Sequence, residues 1–197
     1  MSTNSDVRSH LSPALIVGIA MLAVGAPISA GKGSDTHEVF TASAISLGGP
    51  QPATVGRISF SIDRWTTADD DKKLQLALRD GRSKDVVEAL QDLKSVGRIS
   101  TPGSIGYPLQ YAAQDMLPDG SRHIILMTDR PMSFAEVWDQ PITVDYPVTY
   151  IELKVDKDGK GSGKMMIASK LTQTRKLLVV EDWAVQPIQL NDVKKQS

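Results

Sequence analysis

Several arginine and aromatic residues of this 197-residue chain lie in loops or at the ends of apolar runs, where side chains can meet a ligand. A guanidinium binds a carboxylate through two parallel hydrogen bonds and also stacks on aromatic rings. Arginine beside tyrosine or tryptophan can therefore form a pocket for a carboxylate or a sugar ring. The candidate ligand-binding residues are Arg64, Arg98, Tyr107, Asp129, Arg130 and Trp138.

A structural role is the simpler interpretation of the same residues. Asp129 and Arg130 belong to a Thr-Asp-Arg-Pro segment, where their side chains can fix the backbone of a corner, while the tryptophans pack in the core. Ion pairs at protein surfaces are common and contribute little free energy, so the sequence alone favours this interpretation. The binding hypothesis stays open beside it.

The residues that common catalytic mechanisms need are missing or wrongly spaced. The chain has no cysteine, and beyond residue 30 its histidines are His37 and His123, without an HExxH pair. Gly103-Ser104-Ile105-Gly106 is only loosely similar to the GxSxG nucleophile elbow. His123 begins an apolar run, which favours cross-strand packing over acid–base catalysis. We therefore predict no catalytic residue, no metal and no cofactor.

Two segments look like ion-binding loops but lack essential ligands. Asp156 to Gly161 begins like a calcium loop, yet its fifth position is Lys160 and its twelfth is Ile167, where oxygen ligands are required. No serine or threonine follows Gly163-Lys164, as a phosphate-binding loop requires. This stretch is predicted to be a hairpin turn. The three acids Asp69 to Asp71 spread around a helix end, so they suit the helix dipole better than a single ion.

The charge of the chain is balanced, with 22 basic and 23 acidic residues and a formal net charge of −1. Proteins that bind nucleic acid usually carry a basic excess or a basic stripe. The composition therefore disfavours nucleic acid as a partner.

The N-terminal residues have the composition of a targeting segment. Leu11 to Ala26 contain no charged residue, a length typical of a signal-peptide core and short for a membrane span of about 20 residues. Small residues and Pro27 precede a glycine-rich stretch, so we expect cleavage after Ala30. The chain would then be exported to the periplasm or the cell exterior. The alternative is an uncleaved segment that tethers the protein to a membrane.

The remaining pattern predicts strands joined by short turns and one early pair of helices. Ile58, Phe60 and Ile62 alternate with polar residues, as in a strand with one buried and one solvent-exposed face. Thr67 is a plausible N-cap for a helix that ends near Gly81, and a second helix begins after Ser83.

Taken together, these elements predict an α+β fold with a mostly antiparallel sheet of about seven strands, an early helical hairpin and a short extra helix at residues 134–139. The expected organisation is a signal peptide over 1–30, an N-terminal loop and first strand over 31–54, one α+β domain over 55–190 and a polar tail over 191–197.

Four long segments carry a resemblance that covers most of residues 37–195. They are VGRISFSIDRW, SVGRISTPGSIGYPLQYA, LPDGSRHIILMTDRPMSFAE and YPVTYIELKVDKDGKGSGK. In these segments the chain resembles a group of exported bacterial proteins of similar length with no known activity. The resemblance implies export and implies no mechanism or site residue.

The leading functional hypothesis is an exported soluble domain that binds a small molecule or an envelope protein without catalysis. One alternative is a metal-independent hydrolase that uses Asp, Arg and Tyr side chains at loop ends, which requires Asp129 and Arg130 to converge with another carboxylate or with His123. The other alternative is a membrane-tethered accessory protein.

Overall fold

The computed structural model describes residues 36–46, 55–80, 82–131, 147–174, 177–182 and 187–196. The expected signal peptide, the helix predicted at 134–139 and Trp138 lie outside these ranges. The strands are β1 Glu38–Ile45, β2 Val55–Ile62, β3 Gly97–Ser100, β4 Tyr107–Leu109, β5 Tyr111–Met116, β6 Arg122–Thr128, β7 Val148–Val155, β8 Lys160–Thr174, β9 Leu177–Asp182 and β10 Ile188–Lys195; the helices are α1 Ala68–Asp80 and α2 Ser83–Gln91.

All of these strands belong to one antiparallel sheet in the order β4-β3-β2-β1-β10-β8-β7-β6-β5, with β9 attached to β8. The two terminal strands, β4 and β5, are separated in sequence by Gln110 alone. Thr66 bridges part of the remaining gap, because its N–H donates to the Ala112 carbonyl at 2.9 Å and its hydroxyl accepts from the Ala112 N–H at 2.9 Å. The sheet thus curls into a nearly closed barrel.

The predicted α+β class with about seven strands is wrong, although the mostly antiparallel sheet is confirmed. The described residues form ten strands and only two short helices. The extended segment that begins at Tyr107 forms two strands separated by Gln110. The first, β4, lies at one end of the sheet order, and the second, β5, lies at the other. Residues 191–195, expected to belong to a polar tail, complete β10, which pairs with β1 and β8. A curled sheet covers its own inner face, so it needs few helices.

Alternate side chains of the strands fill the interior of the barrel. The predicted alternation in β2 is confirmed, since Ile58, Phe60 and Ile62 are fully buried while Ser59 and Ser61 are partly exposed. The same cluster receives side chains from eight further strands, every one except β9. Side chains therefore fill the interior of the barrel, which forms a packed core rather than a channel.

The two helices cover the outer face of one side of the barrel. Leu74, Leu78, Val86 and Leu90 pack with outward-facing residues of β5 to β9 in a second apolar cluster. Strand β7 is consequently buried on both faces, and seven of its eight residues are buried.

Helix α1 begins where the sequence indicates. The Asp70 N–H donates to the Thr67 hydroxyl at 3.2 Å, which satisfies one of the free donors at the helix N-terminus. Asp71 accepts from the Tyr111 hydroxyl at 2.6 Å and thereby ties the helix to β5. Burial, followed by the neighbouring charge of Asp71, raises the pKa of Tyr111. Neither described helix has the length and apolar character needed to cross a membrane.

An ion pair links opposite walls of the barrel at one end. Glu38 on β1 and Arg122 on β6 are separated in the sheet order by β10, β8 and β7. The Arg122 Nη2 donates to Glu38 Oε2 at 2.7 Å, and Nη1 donates to Oε1 at 3.2 Å. Nη1 also donates to Gln114 Oε1 at 3.1 Å. The contact therefore spans the interior instead of joining neighbouring strands.

Two further groups complete this cross-barrel cluster. The Arg122 guanidinium lies 5.5 Å from the centre of the Phe40 ring, and Lys195 Nζ is 3.3 Å from Glu38 Oε2. Burial alone would raise the pKa of Glu38, but the hydrogen bond and charge of Arg122, together with Lys195, lower it below the ordinary value of 4.5. A lowered carboxyl pKa stabilises the fold above that value, and the contribution is lost as the pH falls through the folded-state pKa.

We expect Glu38→Gln to lower the free energy of unfolding by about 3 kcal/mol at pH 7, because it leaves Arg122 buried without its counter-charge. Urea denaturation followed by circular dichroism measures the change. The difference from the parent protein should shrink as the pH falls from 4.5 through the lower folded-state pKa of Glu38. The double variant Glu38→Leu/Arg122→Met should be more stable than Glu38→Gln, since it removes both charges. Equal losses in the two variants at pH 7 would contradict this account.

Candidate functional site

Asp129 and Arg130 follow directly after β6 and form an ion pair. Arg130 Nε donates to Asp129 Oδ1 at 3.0 Å, and Nη2 donates to Oδ2 at 3.2 Å. The Asp129 side chain is only 5% exposed, whereas that of Arg130 is 54% exposed. A buried carboxylate thus orients a guanidinium that reaches solvent. The third nitrogen, Nη1, has no partner within the described ranges.

Tyr107 lies beside this ion pair because the end of β4 runs next to the end of β6. The Gln110 N–H donates to the Met127 carbonyl at 2.9 Å, and Tyr107 precedes Gln110 by three residues. The hydrogen bond and charge of Asp129, with a smaller contribution from Tyr107, raise the pKa of Arg130. We call Tyr107, Gln110, Asp129 and Arg130 the corner site.

Buried hydroxyl groups fix the backbone of the corner site. The Thr128 hydroxyl donates to the Arg130 carbonyl, and the Thr149 hydroxyl lies 3.1 Å from the same oxygen. The Thr149 hydroxyl is also 2.9 Å from the Ile167 carbonyl on β8. Both threonines are fully buried. The Thr-Asp-Arg-Pro segment is therefore a rigid corner, and the position of Arg130 follows from it.

Gln110 contributes a buried polar atom without a hydrogen bond among the described residues. The residue is 9% exposed, and its side-chain Oε1 has no partner in that part of the chain. A buried acceptor without a partner usually costs about 1–3 kcal/mol. The Gln110 N–H bonds to the carbonyl of Met127, which is also the partner of Tyr111, so Gln110 interrupts the regular β5–β6 pairing two residues before Asp129. Within the described ranges, the corner site thus contains an acceptor and a guanidinium nitrogen that both lack a partner.

Two of the other predicted residues are engaged elsewhere. The Arg64 guanidinium donates to the Lys94 carbonyl. That of Arg98 donates to the Ile105 carbonyl at 2.8 Å and lies 3.5 Å from the Gly106 carbonyl, which closes the loop between β3 and β4. Ile99 pairs with Tyr107, so Arg98 projects from the opposite face of the sheet. The structure brings Tyr107, Asp129 and Arg130 together, but not Arg64 or Arg98.

A buried histidine–glutamate pair lies at the other end of β6. His123 Nε2 is 2.8 Å from Glu152 Oε1, and the two side chains are 14% and 9% exposed. The hydrogen bond from His123 is the main cause that lowers the pKa of Glu152, against the opposing effect of burial. Side chains alternate between the two faces of a strand, and this alternation places His123 and Glu152 on the outer face. Their contact with each other depends on the register between β6 and β7.

This pair does not join the corner site. His123 and Asp129 are six residues apart along an extended strand, which corresponds to about 20 Å. A hydrolase centre that combines them cannot form at either end. In the part of the chain that the structure describes, no three His, Asp or Glu side chains are placed to hold a metal ion.

The calcium-loop resemblance reflects a turn. Asp156 Oδ1 accepts the N–H groups of Asp158 and Lys160, both at 2.9 Å, so this carboxylate caps the connection between β7 and β8. Strand β8 begins at Lys160, inside the predicted turn. A Cβ atom at Gly161 would lie 1.8 Å from the Lys154 carbonyl oxygen, so the close pairing of β7 and β8 requires glycine there.

Comparison with known proteins identifies no relative. No protein-family model matches the chain, and neither a curated protein nor a solved structure is significantly similar to it. The site is therefore interpreted from its own geometry.

We expect Gln110→Leu to raise the free energy of unfolding by about 1 kcal/mol, because it removes an unsatisfied buried acceptor while it keeps similar volume. Gln114→Leu is the matched control and should be destabilising, since the Gln114 oxygen accepts a hydrogen bond from Arg122. Urea denaturation of both variants measures the two changes. A loss of stability in Gln110→Leu as large as that in Gln114→Leu would show that Gln110 is satisfied in solution.

Proposed function

We propose that this protein is an exported, non-catalytic binding domain whose corner site takes an anionic group of a small molecule or of an envelope protein. The observation that carries the proposal is the half-exposed Arg130 guanidinium, which is held on one side by buried Asp129 and has no partner at Nη1 among the described residues. An arginine fixed in this way has already lost most of its side-chain entropy, so a ligand need not supply that cost.

The surroundings of Arg130 suit a carboxylate. A guanidinium binds carboxylates in its own plane, and Nη1 is the part of that plane which Asp129 leaves unused. Tyr107 adds an aromatic ring and a hydroxyl at the same place, as a site for a ring-bearing acid requires. Sugar acids present a carboxylate together with a ring, whereas acidic side chains of a partner protein present the carboxylate alone.

Binding is favoured over hydrolysis because the corner site lacks a group that can exchange protons near neutral pH. The Asp129 carboxylate is occupied by Arg130, and a raised pKa keeps Arg130 itself charged. The His123 imidazole lies at the far end of β6, where it contacts Glu152. Export is proposed from the uncharged N-terminal run between Leu11 and Ala26 and from the resemblance described above.

A thermal-shift assay with the domain from residue 31 tests the corner site. We expect galacturonate to stabilise the protein, by about 2.7 kcal/mol at one hundred times its dissociation constant, and the uncharged sugar galactose to have little effect. An acidic peptide tests the alternative source of the carboxylate. Arg130→Met should weaken binding at least tenfold.

The matched control is Arg57→Met, which removes an exposed arginine from β2 and changes the net charge equally. This variant should bind like the parent. Equal binding by Arg130→Met and the parent would overturn the proposed site, and so would a lack of response to any carboxylate.

Processing of the N-terminus is tested separately. Expression of the full chain in a bacterial host, followed by intact-mass analysis of the periplasmic and membrane fractions, should yield a soluble periplasmic product that begins at Gly31. Full-length protein in the membrane fraction would instead support the membrane-tethered alternative.

A further inference from the structure

Strand β5 ends the sheet order and leaves part of its outer edge open. It pairs with β6 from Tyr111 to Met116 on one side. On the other side Ala112 bonds to Thr66 through its N–H and its carbonyl. Because backbone groups of a strand alternate in direction, Gln114 and Met116 point to the same edge as Ala112. Their backbone groups have no partner on that edge within the described residues.

Among the described residues, the open edge has few of the features that usually prevent pairing with another chain, and Asp115 is its only charged residue. Natural edge strands are protected by charged side chains, above all lysine, and by proline, bulges or a covering element. The sequence of β5 is YAAQDM, and it contains no lysine and no proline. Next to the open groups, the Met116 side chain is 65% exposed and that of Leu117 is 40% exposed. Exposed apolar side chains beside unpaired backbone groups are typical of a surface that receives an extended segment.

The charge at this edge indicates the kind of segment. Asp115 is exposed between the two open residues, and Asp119 lies in the adjoining turn. A residue directly opposite Asp115 should therefore be basic, since opposite charges stabilise cross-strand pairs and like charges destabilise them. A residue opposite Met116 should be apolar.

We propose that the open edge of β5 binds an extended, alternating basic and apolar segment of a partner protein by strand addition. A second copy of this chain fits less well. The antiparallel register that pairs Gln114 with Met116 of the other copy places the two Asp115 side chains directly opposite each other. The proposal is independent of the corner site, because Asp115 lies near the end of β6 remote from Arg130.

The probe is a soluble hexapeptide, acetylated and amidated, in which valine and lysine alternate. Fluorescence anisotropy of a labelled form measures its affinity. A peptide with glutamate in place of lysine should bind at least tenfold more weakly, and its deficit should shrink at high salt. A probe with proline in the middle cannot complete the pairing and should not bind.

Met116→Pro and Met116→Ala separate the backbone from the side chain. The proline removes an N–H that points to the open edge, and this change breaks no hydrogen bond between β5 and β6. The alanine keeps that N–H. We expect Met116→Pro to lose at least tenfold in affinity, about 1.4 kcal/mol, relative to Met116→Ala. Asp115→Lys should reverse the preference between the lysine and glutamate peptides. Equal affinities of the proline and alanine variants would overturn the proposal.

Hydrogen exchange on the parent protein gives a test that does not depend on how the variants fold. The amides of Gln114 and Met116 should exchange rapidly in the free protein and become protected by the lysine peptide, while the amides of Ala113 and Asp115 are protected throughout. Slow exchange of Gln114 and Met116 without peptide would show that the edge is already covered. A concentration-dependent dimer that protects them would assign the edge to a second copy. Either result would overturn the proposal.

Discussion

The ion pair between Arg122 and Glu38 connects two strands that are not neighbours in the sheet, and the closed shape of the protein depends on contacts of this kind. Hydrogen bonds between adjacent strands give a sheet that can be flat, twisted or closed. Contacts across the interior favour the curled form, because they exist only when opposite walls approach each other. The Arg122 side chain passes over the ring of Phe40 to reach Glu38. It therefore forms the ion pair and also covers part of the apolar core.

Curling also explains why the strands differ in character. Strand β2 has one wet face, as its alternating sequence indicates, whereas β7 is buried on both faces since the helices lie outside it. Tyr150 on β7 shows the cost of this arrangement. It is fully buried, its hydroxyl has no hydrogen-bond partner in the part of the chain that the structure describes, and burial raises its pKa. The helices supply apolar cover, and they leave this one polar atom unsatisfied.

Local patterns in the sequence predicted the elements better than their arrangement. The alternation in β2 and the cap at Thr67 depend on residues close in sequence, and both are present in the structure. The pairing of β1 with β10 and the contact of Glu38 with Arg122 join residues far apart in sequence, for which no local period exists. The division of one extended run at Gln110 likewise follows from closure of the barrel, which no short window of sequence reveals.

The candidate site shows the same distinction. Asp129 and Arg130 are adjacent in sequence, so their ion pair was open to prediction, while the approach of Tyr107 required the neighbourhood of β4 and β6. Arg64 and Arg98 have the same chemistry as Arg130, but nearby carbonyl groups bind their guanidinium groups. Residue type alone could not show which arginine binds backbone carbonyl groups and which pairs with Asp129. The outcome depends on the acceptors that the fold places within reach.

The arginines at the start of β6 and just after its end support different roles for the two ends of the strand. Arg122 is 17% exposed, and both of its terminal nitrogens donate to Glu38 or Gln114, so its hydrogen-bonding capacity is largely used inside the protein. Arg130 is 54% exposed, and among the described residues one of its terminal nitrogens has no partner, although its other contacts are as well defined. A guanidinium that only stabilises the fold gains by satisfying every donor. One that is held rigidly with a donor directed to solvent is better suited to a ligand, because the fold has already restricted the side chain that the ligand must contact.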